Sequence, residues 1–412
     1  MTSVNVFIVF IKKIELKKTS LNISKMLNPN MVREILFDWL QLDKKCGKSL
    51  YLTQKQRAKS TSEQVLESLK STHPLPGLIL QHRKLSKLLS FLQSLIPFII
   101  NPQKRLYPCW QQTGAATGRL SCNSPNLQGV PKKSIQVEGE DINIRSVFTS
   151  RKNYTLLSVD FRSIELRIVA FLSQEESLCS VFNRKQTESE IPEIQNGRDI
   201  FTELTTRWIG IPYDTVSITD RETTKRMVYG VIYGIGRDKL SEYLMVTPQE
   251  AQDRIDNFTN TFPKVKLFMN NVKKICHKYG YVTTLLRRKR FLPHVTAGNI
   301  QTRMYAERQA VNFVVQGLAA DLCKVAMIKL CNRFSIETGL NTKLLVQIHD
   351  EILFEVADQQ LQDTVDIVYE ILENDRLLEG FVDFILPLEV KVLTGKSWGI
   401  MQEIVYKRKE MD

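Results

Sequence analysis

The chain has 412 residues, 43% of them hydrophobic, enough to bury a large core and to form two or three domains or subdomains. Lys and Arg number 57 against 44 Asp and Glu, a net charge of +13 with a pI near 9.3, which favours a polyanionic partner: nucleic acid first, an anionic membrane surface second. Seven cysteines without CxxC pairing and five scattered histidines exclude a zinc-finger or HExxH pattern and imply a reducing compartment.

At the N-terminus Val4 to Ile11 is apolar but far too short to span a bilayer and lacks the flanks of a signal peptide; nothing else approaches a transmembrane length, so the chain reads as soluble. From Asn28, a plausible cap, and Pro29, the residues Val32, Ile35, Leu36, Trp39 and Leu40 recur at helical spacing. Ser60 and Glu63 form a capping-box pattern ahead of Val65, Leu66 and Leu69, and Pro76 opens a longer helix that stops at Pro97. The segment Tyr107 to Lys133, rich in Gly, Ser, Asn, Gln and Pro, reads as extended loops. A strand at Tyr154 to Val159 leads into a helix from about Ser163 to Leu172. Residues 183–198 are polar enough to be an exposed insertion, and helices follow Asp220 through Arg333 except at Gly280 to His294. Lys343 to Val356 reads as two apolar strands parted by His349, Asp350 and Glu351, a hairpin with acid at its tip.

Three constellations carry chemistry. Asp160 ends one apolar strand and Asp350 tips the hairpin of two others; strands this apolar can lie side by side, and two carboxylates brought together in that way need a cation. Few, hard oxygen ligands suit Mg²⁺, which completes its shell with water and phosphate oxygens. Next, Arg221, Lys225, Tyr229 and Tyr233 recur every four residues along one helix, cations first and rings after, an order that suits the phosphates and base of a nucleoside triphosphate. Finally, Arg308, Asn312 and Gln316 repeat that spacing with donors able to reach DNA phosphates, sugars and minor-groove acceptors. Each row alone is equally readable as the polar side of an ordinary helix.

In order, TGRLSCNSPNLQGVP, DFRSIELR, RETTKRMVYGVIYG, AERQAVNFVVQGLAADLCK and VQIHDE resemble the motifs of family A DNA polymerases, over roughly residue 60 to Trp398. The stretches STSEQVLESLKSTHPLP, WQQTG, AVNFVVQG and GKSWG are most similar to the eukaryotic polymerase nu branch, with theta next. The resemblance implies an α+β, right-handed polymerase architecture with an antiparallel palm sheet and helical fingers and thumb. Its expected divisions are an N-terminal remnant at 1–27, thumb and palm entry at 28–152, palm at 153–182, fingers at 183–305, and palm with the C-terminus at 306–412. It implies that Asp160, the backbone carbonyl of Phe161 and Asp350 hold two Mg²⁺ ions, with Mn²⁺ able to substitute, and that Glu351 and Lys225 join them in catalysis. Arg221, Lys225, Tyr229 and Tyr233 bind the incoming dNTP, and Glu165 excludes a ribose 2′-hydroxyl. Arg119, Asn126, Gln128, Arg308, Asn312, Gln316 and His349 contact primer-template DNA.

The same resemblance implies a monomeric, low-fidelity enzyme of DNA repair or translesion synthesis, located in the nucleus. About sixty residues precede the matched thumb, too few for a proofreading exonuclease. Three departures stand out: Arg162 and Ser163 replace the usual Ser and Gln ahead of Glu165, Phe201 stands at a common phosphate-binding histidine, and Leu286 occupies a usual glycine. Arg226, seven residues before Tyr233, shares that tyrosine's helical face and could hold a displaced template guanine, lowering fidelity. RRKR at 287–290 resembles a nuclear signal but lies in a family segment, which makes it structural. The rival readings are a catalytically inactive DNA-binding scaffold and, disfavoured by Glu165, a single-subunit RNA polymerase.

Overall fold

The structure, a computed structural model, describes residues 29–46, 59–99, 104–132, 134–137, 140–183, 199–244, 246–373, 377–378 and 387–404. The apolar stretch at Val4 to Ile11, the cap assigned to Asn28 and the polar segment 184–198 lie outside the described residues. Two compact units emerge. The first takes residues up to Trp110 with Cys122–Lys152 and Gly395–Gln402; the second takes Gln111–Ser121, Asn153–Thr394 and the residues from Glu403.

In the first unit, α1 (Pro29–Arg33) runs on into a π-helical turn at Glu34–Trp39, followed by α2 (Leu42–Cys46), α3 (Glu63–Leu69) and α4 (Pro74–Ile99). Their apolar stripes meet in a cluster of Val32, Leu36, Phe37, Val65, Leu66, Leu69, Ile79 and Leu80. The expected capping box at Ser60 does not form. Ser62 is the N-cap of α3, without a side-chain bond, and Ser60 Oγ instead accepts the Ser62 N–H at 3.2 Å. The long helix starts two residues before Pro76 and passes Pro97, which sits in its last turn, where few backbone bonds remain to be lost.

The segment expected to be loops carries two short strands, β1 (Cys109–Gln111) and β2 (Ser121–Asn123), and β3 (Ile135–Val137) pairs antiparallel with β4 (Glu140–Ile142). Arg145 stacks 4.0 Å over the ring of Trp398, and the Trp398 backbone N–H donates to the Phe148 carbonyl at 3.0 Å, so the tryptophan of GKSWG is a packing anchor.

A sheet ordered β11-β10-β5-β9-β8 is formed by β5 (Tyr154–Phe161), β8 (Thr342–Ile348), β9 (Glu351–Ala357), β10 (Val390–Ser397) and β11 (Ile400–Glu403), and β5, β8, β9 and the start of β10 belong to the second unit. Around it run α5 (Ile164–Ser173), α6 (Glu176–Asn183), α7 (Ile200–Ile209), α8 (Ile218–Ile232), α9 (Arg237–Leu244), α10 (Pro248–Thr261), α11 (Pro263–Tyr279), α12 (Ile300–Asn332) and α13 (Leu361–Glu373), with a hairpin of β6 (Tyr281–Thr283) and β7 (Lys289–Phe291). Alternation along the strands sorts the sheet's faces. Leu157, Val159 and Phe161 of β5 and Ile352, Phe354 and Val356 of β9 join a core shared with Val315, Leu318 and Leu322 of α12 and Val365 and Val368 of α13. Ser158, Asp160 and Glu351 therefore fall on the opposite face.

Most boundaries move by one or two residues: β5 continues through Asp160 to Phe161, and the helix after it begins at Ile164, with Ser163 as a left-handed N-cap. The turn between β8 and β9 is only His349 and Asp350, because Glu351 already belongs to a strand. One buried cation locks the turn after β5. Arg167, only 1% exposed, donates to the carbonyls of Arg162 (3.0 Å) and Pro387, pairs with Glu389 at 2.8 Å and lies over Phe182. Burial pulls its guanidinium below the usual range, against the pull of Glu389. Against the expectation that nothing beyond the N-terminal stretch approaches a transmembrane length, the helical stretch Ile300–Glu337 is, among the described residues, long and apolar enough to cross a membrane; 61% of its apolar window is buried inside the protein, as in the core helix of a globular fold.

Candidate active site

The antiparallel register of β5 and β9 runs from Tyr154 opposite Ala357 to Asp160 opposite Glu351, so the two strands do lie side by side and bring their acids together. Like charges directly opposite repel. Glu351 is steadied by the Ser158 hydroxyl, which donates to it at 2.6 Å, and the Asp350 turn is pinned to β5 by the Phe161 N–H, which donates to the Asp350 carbonyl at 3.2 Å.

Beside this acidic end sits Glu165, 7% exposed. Arg119 Nη2 holds its Oε1 at 2.5 Å and lies 3.6 Å from Asp350, while the Tyr233 hydroxyl donates to its Oε2. Burial works to lower the Arg119 guanidinium's pKa, but Glu165 and Asp350 outweigh it and hold it above the usual value. The departures at Arg162 and Ser163 therefore do not loosen Glu165. Arg162 pairs with Glu403 at 2.6 Å, Ser163 hydrogen-bonds Tyr229, and the grip on Glu165 comes from elsewhere in the chain.

α8 starts with a full capping box between Ser217 and Asp220 and carries the four-residue row up to Tyr233, its C-cap. Arg221 makes two bonds to Asp199, at 2.8 and 2.7 Å, and a third to Glu222 at 2.8 Å. Phe201, the residue in place of a histidine, is 5% exposed and forms an aromatic wall under the row. Arg221 and Lys225 stand 5.7 and 5.5 Å from its centroid, Tyr229 is 5.9 Å away, and Tyr229 stacks on Tyr233 at 6.0 Å. Gly234 then turns the chain at φ +66, a conformation suited to glycine, and a Cβ there would come within 2.8 Å of Arg308 Cγ. Arg226 is exposed and its guanidinium lies 5.6 Å over the Tyr243 ring, a partner the sequence did not suggest.

On α12, Arg308, Asn312 and Gln316 are half-buried along one line, with Gln316 hydrogen-bonded to Tyr233 and Arg308 over Tyr305. Asn312 Oδ1 is buried without a hydrogen-bond partner among the described residues. His349 is exposed in the left-handed region at φ +55, uncommon for a side chain other than glycine. Asn126 and Gln128 belong mainly to the first unit's fold: Asn126 caps a short turn by accepting the Gln128 N–H at 3.0 Å. In the RRKR segment Arg288 is structural, bonded to Asp321 at 2.9 Å and to the Thr117 carbonyl at 2.8 Å. It fills the space beside Gly118, where φ is +83 and a Cβ would meet the guanidinium at 2.6 Å. Leu286, set against a usual glycine, is not the left-handed residue of this turn; Arg287 is, at φ +65.

The buried Cys323 thiol is driven well above its ordinary pKa by burial first and then by Asp350, with Asp160 and Glu165 adding to it, so these carboxylates converge on one region. No cluster of three or more His, Cys, Asp or Glu side chains able to hold a metal occurs among the described residues. A divalent ion here would rest on two carboxylates and a carbonyl and take its other oxygens from water and substrate, a donor set that fits Mg²⁺.

This arrangement is an antiparallel sheet whose acidic end faces a cation-and-tyrosine helix, and the comparisons give the family. Residues 11–400 match the family model for DNA polymerase family A, and the chain belongs to that family. It is 35% identical over 370 residues to the thermostable DNA polymerase I of Thermus aquaticus, covering 90% of this chain and 41% of that one. Over 346 residues it is 33% identical to DNA polymerase I of Chloroflexus aurantiacus, covering 84% and 34%. Among solved structures it superposes with a TM-score of 0.80 at 29% identity on the POL domain of Pol1 from M. smegmatis, solved with DNA primer-template and dNTP, covering 96% of this chain and 67% of that one. The α+β polymerase fold expected from the sequence is thereby borne out. The chain spans about two fifths of the length of the curated relatives it matches.

Burial first, then Glu165, drives the phenols of Tyr229 and Tyr233 well above their ordinary value of 10.0. In the unfolded chain both ionise near that value, so unfolding releases protons and stability falls as pH rises past it. Urea unfolding at about pH 9 and about pH 11 checks this. The loss of stability between the two should be smaller in the Tyr229→Phe/Tyr233→Phe double variant, and equal losses contradict the assignment.

Proposed function

We propose that the chain is a DNA-directed DNA polymerase (EC 2.7.7.7) extending a primer on a template by nucleotidyl transfer from dNTPs. The observation that carries this reading is the convergence of Asp160 and Asp350 beside Glu165, with the Arg221–Lys225–Tyr229–Tyr233 row leading to it. Asp160, the Phe161 carbonyl and Asp350 would hold two Mg²⁺ ions, or Mn²⁺ in their place. Bound there, the ions supply a lowered pKa for the primer 3′-hydroxyl and charge neutralisation for the departing pyrophosphate.

The chain's own residues do the rest. Lys225 binds the triphosphate and protonates the leaving group. Arg221, oriented by Asp199, clamps the same phosphates, with more of that charge to carry because Phe201 offers no cation. Tyr229 and Tyr233 present a stacked face to sugar and base, and Glu165 bars a 2′-hydroxyl. Glu351 supports the acidic end beside Asp160. Arg119, Asn126, Gln128, Arg308, Asn312, Gln316 and His349 line up primer and template in this reading. An inactive scaffold would have no need of the Glu165 grip or the aligned cation row. Asp160→Asn or Asp350→Asn should lower incorporation about a thousandfold or more while DNA affinity stays within about twofold, measured by single-nucleotide extension and by anisotropy. Near-normal extension by either variant sinks the proposal.

The finer reading is a low-fidelity enzyme of repair or translesion synthesis, monomeric, nuclear and of the nu branch; its support is the nu-like stretches and Arg226. An exposed cation–π contact such as Arg226 on Tyr243 is worth about 0.5–1 kcal/mol, less than the 1–3 kcal/mol of a bidentate contact to guanine, so the guanidinium can leave the ring for a template base. The ratio of dTTP to dCTP use opposite template G should fall about fivefold or more in Arg226→Ala. An unchanged ratio removes Arg226 from any account of fidelity.

A further inference from the structure

Residues 257–306 contain ten of the chain's 57 Lys and Arg residues and none of its 44 Asp and Glu. No motif of the proposed site explains that run. Arg288 and Lys264 are occupied, by Asp321 and by Glu176 at 2.7 Å. Two other cations have a different kind of partner: Lys278 Nζ lies 5.0 Å over the Tyr279 ring and Lys289 Nζ lies 5.0 Å over the Tyr281 ring.

The rings under those lysines form a continuous surface. α11 ends at Tyr279 and, across Gly280, β6 begins at Tyr281, whose register partner on β7 is Phe291. Ring centroids are 6.0 Å apart from Tyr279 to Tyr281 and 5.5 Å from Tyr281 to Phe291. The local core does not need these rings, since Val272, Cys276, Val282, Leu292 and Val295 already fill it. Tyr279 is 53% exposed and Phe291 70% exposed, an unusual outlay of aromatic area on a surface that also carries dense positive charge. An acidic peptide would match the charge but has no use for three adjacent ring faces. Bases stack on such rings while the lysines that lie over two of them turn to the phosphates, the arrangement that takes up single strands without regard to sequence.

We propose that Tyr279, Tyr281 and Phe291, flanked by Lys278 and Lys289, form a stacking platform for single-stranded DNA, separate from the residues of the proposed catalytic site. The platform involves none of the carboxylates, so it stands or falls apart from the polymerase reading.

The test measures anisotropy of a labelled dT oligonucleotide of about 12 nucleotides on the full chain, with unlabelled primer-template duplex in excess to fill any duplex-binding cleft. The same measurement is made with an abasic oligonucleotide of equal length and charge. The wild-type chain should prefer dT by about tenfold, Tyr281→Ala/Phe291→Ala should erase that preference, and Phe291→Trp should keep it and show that the fold tolerates change there. Lys278→Gln/Lys289→Gln should retain the preference but flatten the dependence of affinity on salt. Three results overturn the proposal: equal binding of dT and abasic strands by the wild-type chain, a preference that survives in the double alanine variant, or displacement of the dT strand by phosphatidylserine vesicles together with loss of base preference, which makes the surface a general anion or membrane contact.

Discussion

Glu165 is a buried carboxylate held in place by Arg119 on one oxygen and Tyr233 on the other. Removing one partner from a buried charged group of this kind typically costs about 3–5 kcal/mol, far more than an exposed ion pair contributes. Through these two bonds α5, the TGRLS segment and the C-terminal end of α8 meet at one point. Arg119 extends the junction to Asp350, and Gln316 extends it through Tyr233 to α12. The elements that carry the chemistry of the proposed reaction are thus positioned by one hydrogen-bonded hub, not by separate local preferences.

The hub works because the sheet beneath it is fixed. Apolar alternation on β5 and β9 commits Leu157, Val159, Ile352 and Phe354 to the core, and a one-residue slip would turn Asp160 and Glu351 inward. Burial on one face thereby specifies the position of the acids on the other. Arg167 then ties the turn that follows β5 to the 387–389 segment, so that Glu165, two residues before it, starts its helix from a rigid base.

Much of this was legible in the amino-acid pattern, and the rest was hidden for a common reason. The strand before Asp160, the acid-tipped hairpin and the four-residue rows on α8 and α12 are periodic features, visible because helices repeat at 3.6 residues and strands at 2. The partners that fix them are not periodic. Asp199 lies 22 residues from Arg221, Ser158 lies 193 from Glu351, and Thr117 lies 171 from Arg288. Local competition explains smaller differences: Ser60 bonds into a turn instead of capping, and Pro97 is absorbed in a last turn. Beyond Ala357 the sequence reading assigned no elements, yet α13, β10 and β11 lie there. The mixed polar and apolar run of β10, VKVLTGKS, carries a weak alternation that becomes a strand only by pairing in the sheet.

Whether Glu165, in the grip of Arg119 and Tyr233, sets the sugar that the proposed site accepts is read from the selectivity for dCTP over CTP opposite template G, as the ratio of kcat/KM values. Glu165→Ala should reduce that selectivity on the order of a hundredfold, and Tyr233→Phe, which removes one of the two bonds while keeping the ring, should reduce it partway. Selectivity unchanged in Glu165→Ala would contradict the account.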